Sequence, residues 1–225
     1  MSALIELRGV SKLYLNRLFQ VNALRNIDLN IQPAEFAVVD GPSGSGKSTL
    51  LHLIGALDRP TQGQIVVGEQ DLGRLSKNQL SEFRLKKVGF VFQTHNLVWA
   101  LTALENIEYP LLLLGVERKE RREKAFDLLQ RVGLSDQSDK RPGEMSGGQR
   151  QRISVARAIV TNPAIVLGDE PTANLDSRSA VDLINLFFDL NRQFKTTFLI
   201  ATHDRDIMKK ADRNIRLHDG MVVNS

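Results

Sequence analysis

Gly41-Pro42-Ser43-Gly44-Ser45-Gly46-Lys47-Ser48 has the form Gly, any four residues, Gly, Lys, then Ser or Thr. Immediately upstream, Phe36 to Val39 is a short apolar run of the buried-strand kind, ended by Gly41. Downstream, Leu50, Leu51, Ile54 and Leu57 recur at helical spacing, which predicts a helix over Lys47 to Leu57. Strand, glycine loop and helix in that order make a phosphate-binding loop. With 16 Gly in the chain, a chance match is on the order of one in two hundred, and the flanking pattern lowers that further. The glycines let the backbone curl until its N–H groups face phosphate oxygens, and the helix amino terminus adds partial positive charge. Lys47 then reaches the β and γ phosphates, Ser48 offers a hydroxyl to Mg²⁺, and Thr49 continues the nucleotide-binding stretch.

Working outward, Ile27, Leu29 and Ile31 alternate with polar residues as a half-buried strand does. Gln64 to Val67 and Val88 to Phe92 read as further strands, with a polar helix around Lys77 to Arg84 between them. From about Thr102 to Thr161 the strand signal gives way to charged helical patterning, an inserted lobe. In its ERKERREK run, residues 117 to 124, Glu117 with Arg121 and Glu120 with Lys124 stand four apart, as on a solvated helix face. Strands return at Ala164 to Leu167 and Thr196 to Ala201, each followed by a helical stretch. The economical topology is a parallel sheet with crossover helices.

Composition narrows the function classes. The chain has 225 residues, 42% apolar and 25% charged, the balance of a globular protein. Its net charge of +4 is a small surplus, and no nucleic-acid partner is expected. Zero cysteines exclude disulfides, thiolate metal sites and thiol nucleophiles together. The run Leu111 to Leu114 is far short of the ~20 apolar residues needed to span a bilayer. The opening MSALIELRGV does not read as a secretory signal, so a cytoplasmic protein with only peripheral membrane contact is expected.

Two further segments carry chemistry. Ile165-Val166-Leu167-Gly168-Asp169-Glu170 is an apolar strand ending in two carboxylates, which repel each other and call for a cation. Beside the glycine loop, Asp169 holds Mg²⁺ through water while Glu170 orients or deprotonates the attacking water. This describes an Mg²⁺-dependent nucleoside triphosphatase or a phosphoryl-transfer kinase. Met145-Ser146-Gly147-Gly148-Gln149-Arg150-Gln151-Arg152 then precedes a helix predicted over Gln149 to Val160. Alone, such a segment is an ordinary helix amino-terminal cap.

In this order and spacing, the segment resembles the signature of ATP-binding cassette (ABC) proteins, and the resemblance covers nearly the whole chain. It implies an α/β fold of the P-loop NTPase kind: a mainly parallel sheet core, an antiparallel β part near the amino terminus, and a helical lobe at about residues 96–160 inside a single 1–225 domain. It implies that Tyr14 stacks on adenine, that Gln93 senses the γ phosphate and Mg²⁺, that His203 contacts the γ phosphate, and that Asn174-Leu175-Asp176 crosses between two subunits. Ser146, Gly147, Gly148 and Gln149 would close over ATP held by the other protomer, so two chains sandwich two nucleotides. Losing the γ phosphate deletes the bridging contacts and lets the pair open. The cofactors implied are ATP and Mg²⁺, and a kinase would have no use for the signature segment.

Three positions depart from the family pattern. Asp40 stands before the glycine loop where a small or apolar residue is usual, placing like charge near phosphate unless it is turned away or paired. Met145 replaces the usual leucine and Gly168 the usual alanine, the latter expected to loosen the strand end slightly. No catalytic position is missing, so an active ATPase is expected.

Repair-type cassette proteins carry a long coiled coil before the signature, and this chain has no sustained heptads there. Translation-type members carry two cassettes, and this chain has one. The stretch Gly89-Phe90-Val91-Phe92-Gln93, with Asn96-Leu97 and Leu101 to Asn106, is similar to the bacterial subgroup of lipoprotein-releasing, macrolide-export and cell-division ATPases. That subgroup implies a homodimer working with a separate transmembrane permease subunit at the cytoplasmic face of the cell membrane, and no carboxy-terminal regulatory domain after Gly220. Trp99, Leu101 and the Tyr109 to Leu114 run form the expected dock for a helix of the membrane subunit.

Overall fold

The structure, a computed structural model, describes residues 3–15 and 20–223. The first two residues of the opening segment and the last two of the chain lie outside it. Strands β1 (Ile5–Leu15) and β2 (Gln20–Ile31) pair antiparallel, and β1 pairs on its other side with β4 (Gln62–Val67), which carries β5 (Gln70–Asp71). The second sheet has six strands in the order β10-β9-β3-β8-β7-β6. Here β3 is Phe36–Asp40, β6 Val88–Phe92, β7 Ile165–Asp169, β8 Thr197–Ala201, β9 Arg213–His218 and β10 Met221–Val223. The pairings β9-β3-β8-β7-β6 are all parallel, and β10 alone runs antiparallel. The mainly parallel core with an antiparallel amino-terminal sheet is the expected fold class.

The central strands read as unbroken apolar runs because both faces are covered. Side chains alternate across the sheet, so Phe36, Val38, Phe198 and Ile200 enter one core while Ala37, Val39, Leu199 and Ala201 enter another. The first core is closed by helices α3 (Ala103–Leu113), α4 (Arg118–Arg131), α5 (Gly147–Ile159) and α6 (Ser177–Phe194). The second is closed by α1 (Lys47–Ile54), α2 (Lys77–Lys87) and the antiparallel sheet. A short helix, α7 (Arg205–Lys210), packs Ile207 into the first core.

Helix α5 lies unusually close to β6. A Cβ at Gly89 would meet the Ala158 carbonyl oxygen at 2.1 Å, so only glycine admits the helix backbone at that separation. The helix that begins at the Ser146 loop is thereby held against the strand that ends at Gln93.

Several local expectations are corrected. Helix α1 stops at Ile54, and Gly55 caps it; Ala56 turns left-handed (φ 57°) and Leu57 ends 47% exposed rather than on the buried stripe. Glu120 and Lys124 do pair, at 2.6 Å, but Glu117 does not pair with Arg121. Glu117 instead caps α4, accepting from the Lys119 N–H, while Arg121 reaches the nearly buried Glu108 of α3 at 3.2 Å. The Glu108 pair wins because α3 and α4 pack side by side and a screened surface pair is worth little. Helix α5 starts two residues before the predicted Gln149, since Ser146 is its cap. Gly168 is not loose: a Cβ there would meet Ile200 Cδ1 at 2.6 Å, so the missing methyl is filled by a neighbour. The edge strands β5 and β10, and β9 beside β10, were not legible in the sequence.

Candidate functional site

The register of the parallel sheet brings four strand ends level. Val39 pairs with Ala201, Ala201 with Asp169 and Asp169 with Phe92, so β3, β8, β7 and β6 deliver their following residues to one edge. Those residues are the glycine loop, His203, Glu170 and Gln93, and the carboxyl ends of parallel strands are where such folds open a crevice. A cavity of about 660 Å³ occupies this place. Its wall includes Tyr14, every residue from Gly41 to Thr49, Gln93, Asp169, Glu170 and His203.

Within the loop, Gly44 (φ 80°) and Gly46 (φ 106°) hold backbone conformations that favour glycine. Gly46 also packs so that a Cβ would meet the Ala23 carbonyl at 2.4 Å. It is the N-cap of α1 and has no side chain to cap with, and no acidic residue occupies the first turn. The first-turn N–H groups and the helix dipole therefore act as an anion site. Lys47 Nζ donates to the Gly41 carbonyl at 2.7 Å and to the Pro42 carbonyl at 3.2 Å, which sets its ammonium across the mouth of the loop. Ser45 Oγ is buried beside Gly41 without a partner. Asp40, the departure from pattern, is half-buried at the end of β3 opposite Arg216 in the strand register.

Glu170 adopts a left-handed backbone (φ 47°), a conformation non-glycine residues rarely hold and which costs of the order of 1–3 kcal/mol. The Glu170 N–H donates to the Ala201 carbonyl at 2.8 Å, which fixes the turn. Its carboxylate meets His203 Nδ1 at 3.1 Å and lies near the Thr202 hydroxyl at 3.4 Å. Asp169, one residue earlier, remains in the strand.

Tyr14 also lines the cavity. Its hydroxyl donates to Asp58 at 2.9 Å, while Lys12 donates to the same carboxylate at 2.8 Å and lies 4.8 Å from the Tyr14 ring centroid. Burial, then the bond to Asp58, raise the Tyr14 phenol above its ordinary value. At Asp58 burial opposes ionisation, but Lys12, the Arg59 N–H and Tyr14 outweigh it and hold the carboxyl below the usual range.

The protein matches the family described as ABC transporter over residues 24–173. The chain belongs to the ABC transporter family. It is similar to an uncharacterised ABC transporter ATP-binding protein, YvrO, of Bacillus subtilis, with 44% identity over 98% of this chain and 96% of that one. It is also similar to the lipoprotein-releasing system ATP-binding protein LolD of Bacteroides thetaiotaomicron, with 41% identity over 97% and 99% of the two chains. Among solved structures it resembles the dimeric bacterial ABC transporter cassette MJ0796, at TM-score 0.90 and 40% identity, covering 98% of this chain and 97% of that one. The same cassette in a dimeric post-hydrolysis state with ADP and Pi matches at TM-score 0.90 and 39% identity, with the same coverage. The cassette is thus an ATP-binding ATPase of the ABC type.

Not every residue read from the sequence sits in the cassette's cavity. Ser146, Gly147, Gly148, Gln149 and Asp176 are absent from its wall. Ser146 forms a reciprocal cap with Gln149: the Gln149 N–H donates to Ser146 Oγ at 3.3 Å, and the Ser146 N–H donates to Gln149 Oε1 at 2.8 Å. The hydroxyl hydrogen stays available, so capping and anion binding are compatible. Asp176 caps α6, accepting from Ser179 N–H at 3.0 Å and Ser179 Oγ at 2.6 Å, and these bonds hold its carboxyl below the usual range. Gly148 packs against the same Ser179.

The sequence reading missed four residues that shape the site: Lys12, Asp58, Gln151 and Arg157. Arg157 donates to the carbonyls of Asn96 at 2.7 Å and His95 at 3.0 Å, both left-handed residues just after Gln93. Gln151 had a visible signal, being a polar residue on the stripe of α5 that includes Val155 and Ala158. Lys12 and Asp58 had none, because only the tertiary fold brings β1 beside the turn that follows α1.

Proposed function

We propose that this cassette hydrolyses ATP as one of two identical protomers and that hydrolysis drives a separate membrane subunit. The division of the site carries the reading: the phosphate loop, Glu170 and His203 share one cavity, while Ser146 to Gln149 and Asp176 are absent from its wall. A second copy supplies what one copy leaves open. The dimeric state of MJ0796 supports this, as does the amino terminus of α5, whose cap leaves the Gly147 and Gly148 N–H groups to a partner's phosphate.

In this reading the loop N–H groups and Lys47 bind the β and γ phosphates, and Tyr14 stacks on the base. Ser48 and Asp169 fit a Mg²⁺ ion, since both present hard oxygen donors on the same cavity wall. Among the described residues no group of three His, Asp or Glu side chains makes a cage, which suits an ion shared with phosphate oxygens. Such an ion neutralises phosphate charge. Glu170 takes the proton of the attacking water, with its carboxylate aimed by His203, and Gln93 lies beside them to sense the γ phosphate. His203 then contacts the γ phosphate from the end of β8.

For the membrane subunit, a cleft of about 410 Å³ opens between β6, α3 and α5, with Leu57, Phe90, Phe92, Tyr109 and Arg157 on its walls. Trp99 (65% exposed), Leu112 and Leu113 lie outside that cleft on the same lobe, while Leu111 is buried. A cleft with exposed Tyr109 and Leu57 on its walls suits a docked helix. Among the described residues no helix is long and apolar enough to cross a membrane. The similarity to ATP-binding subunits such as LolD supports a peripheral place at the cytoplasmic face, held by the membrane subunit. Light scattering of the Glu170→Gln variant over a wide dilution range tests the sandwich: a dimer in Mg-ATP supports it, and a monomer at saturation rejects it. Retrieval of a membrane protein with a large extracytoplasmic domain, from membranes of the source cell, tests the partner.

A further inference from the structure

Gln151 is fully buried, five residues after the Ser146 cap. Its side-chain nitrogen donates twice, to the Phe92 carbonyl at 3.2 Å and to the Pro171 carbonyl at 2.8 Å. Phe92 is the residue before Gln93, and Pro171 is the residue after Glu170. One amide therefore ties together the two loops that carry the γ-phosphate sensor and the base. The assignment of its nitrogen is forced, because both neighbours are carbonyl oxygens and only the NH₂ end can satisfy them. Its Oε1 is left buried without a partner, a cost the fold tolerates to keep both donors in place.

We infer that Gln151 is a positioning residue that sets the separation of Gln93 and Glu170 around the attacking water, acting from the helix that begins at the Ser146 loop. The left-handed backbone at Glu170 makes this constraint necessary. That conformation persists only where the surroundings hold it, and the bonds from the Gln151 amide to the Pro171 carbonyl and from the Glu170 N–H to the Ala201 carbonyl hold the turn on both sides. On the other side, Gln93 is bounded by the Gln151 bond at Phe92, the Asn174 bond at its own carbonyl (3.2 Å) and the Arg157 bonds at His95 and Asn96. Because α5 carries both Gln151 and the Ser146 loop, the loop that meets the partner's nucleotide is rigidly connected to the geometry of its own protomer's site. The Phe92 carbonyl also accepts from the His95 N–H at 3.3 Å, so the loss of the amide falls hardest on the Pro171 carbonyl beside Glu170.

This inference rests on the proposed reading that Glu170 and Gln93 flank the γ phosphate. Gln151→Met keeps the length and shape of the side chain without its donors, and Gln151→Asn keeps the donors but withdraws them by one carbon. Steady-state ATPase of Gln151→Met is expected to lose at least tenfold in kcat with KM for ATP within about twofold, because the phosphate loop is untouched. Gln151→Asn falls between Met and the parent. The double variant Gln151→Met with Glu170→Gln still dimerises in Mg-ATP at the concentration that suffices for Glu170→Gln alone. A parental kcat in either single variant overturns the inference, and so does a loss of kcat, ATP affinity and dimerisation in step, which marks a merely structural residue. A monomeric Glu170→Gln control sinks the sandwich instead, and the kcat-against-KM split still judges Gln151.

Discussion

His203 Nδ1 lies 3.1 Å from one carboxylate oxygen of Glu170 and 3.0 Å from the other, joining the end of β8 to the end of β7. The imidazole is largely exposed and the carboxylate mostly buried, so the pair has one wet partner that can approach phosphate and one sheltered partner that can take a proton. On the proposed role of Glu170 as the base, Glu170→Gln is expected to cost about 10² to 10⁴ in turnover while ATP still binds. His203→Ala should reduce turnover with little change in KM, since it disturbs the carboxylate rather than the phosphate loop. Lys47→Ala should instead abolish tight nucleotide binding, measured by equilibrium dialysis. Near-parental turnover in Glu170→Gln would remove it from the base role.

The Lys12–Asp58–Tyr14 cluster makes a second expectation. Asp58→Asn loosens Tyr14 without touching the phosphate loop, so KM for ATP should rise severalfold with kcat nearly constant. Inorganic tripolyphosphate, which has no base to stack, should bind the variant as it binds the parent. The pH sense follows from the lowered carboxyl. A depressed acid contributes stability above its unfolded value, near 3.8, and loses it as pH falls through the lower folded value. Acid melting curves should therefore show the parent losing its advantage over Asp58→Asn below about pH 4.

Gly89 carries the close packing of α5 on β6, and Gly89→Ala must push the helix off the Ala158 carbonyl. Overpacking of this kind typically costs about 1–3 kcal/mol. A lowered thermal midpoint, with turnover reduced because α5 also holds Gln151, is the expected result; an unchanged midpoint would show that the helix has room to move.

On the helical lobe, Trp99→Ala should uncouple the complex with the membrane subunit and leave the ATPase activity of the isolated cassette largely intact. Trp99 is 65% exposed and does not line the cavity of the phosphate loop, which is why the two activities separate. Equal loss of both would count against a docking role. Tyr109→Ala, at the cleft wall, should behave in the same way.

Much of the site was legible in linear sequence because its chemistry is local. The glycine loop needs consecutive residues with unusual backbone freedom, and paired acids after an apolar run announce a strand end. The expected lobe helices and parallel strands were legible for the same reason, through period and charge. Errors came where a local rule met a competing tertiary one: Glu117 serves its own helix end, and Arg121 answers Glu108 on the neighbouring helix. Short edge strands such as β5 and β10 carry too few residues for any periodicity to show.

What the sequence by itself determined was the inventory: a phosphate loop, two carboxylates, a signature cap and the order of strands and helices, all set by spacings of a few residues. Only the tertiary structure decided that Val39, Ala201, Asp169 and Phe92 lie in one row, that Asp58 holds Tyr14, and that Gln151 ties two loops. Those relations depend on sheet register and helix packing, where residues dozens of positions apart meet because buried backbone groups must find partners and apolar faces must be covered.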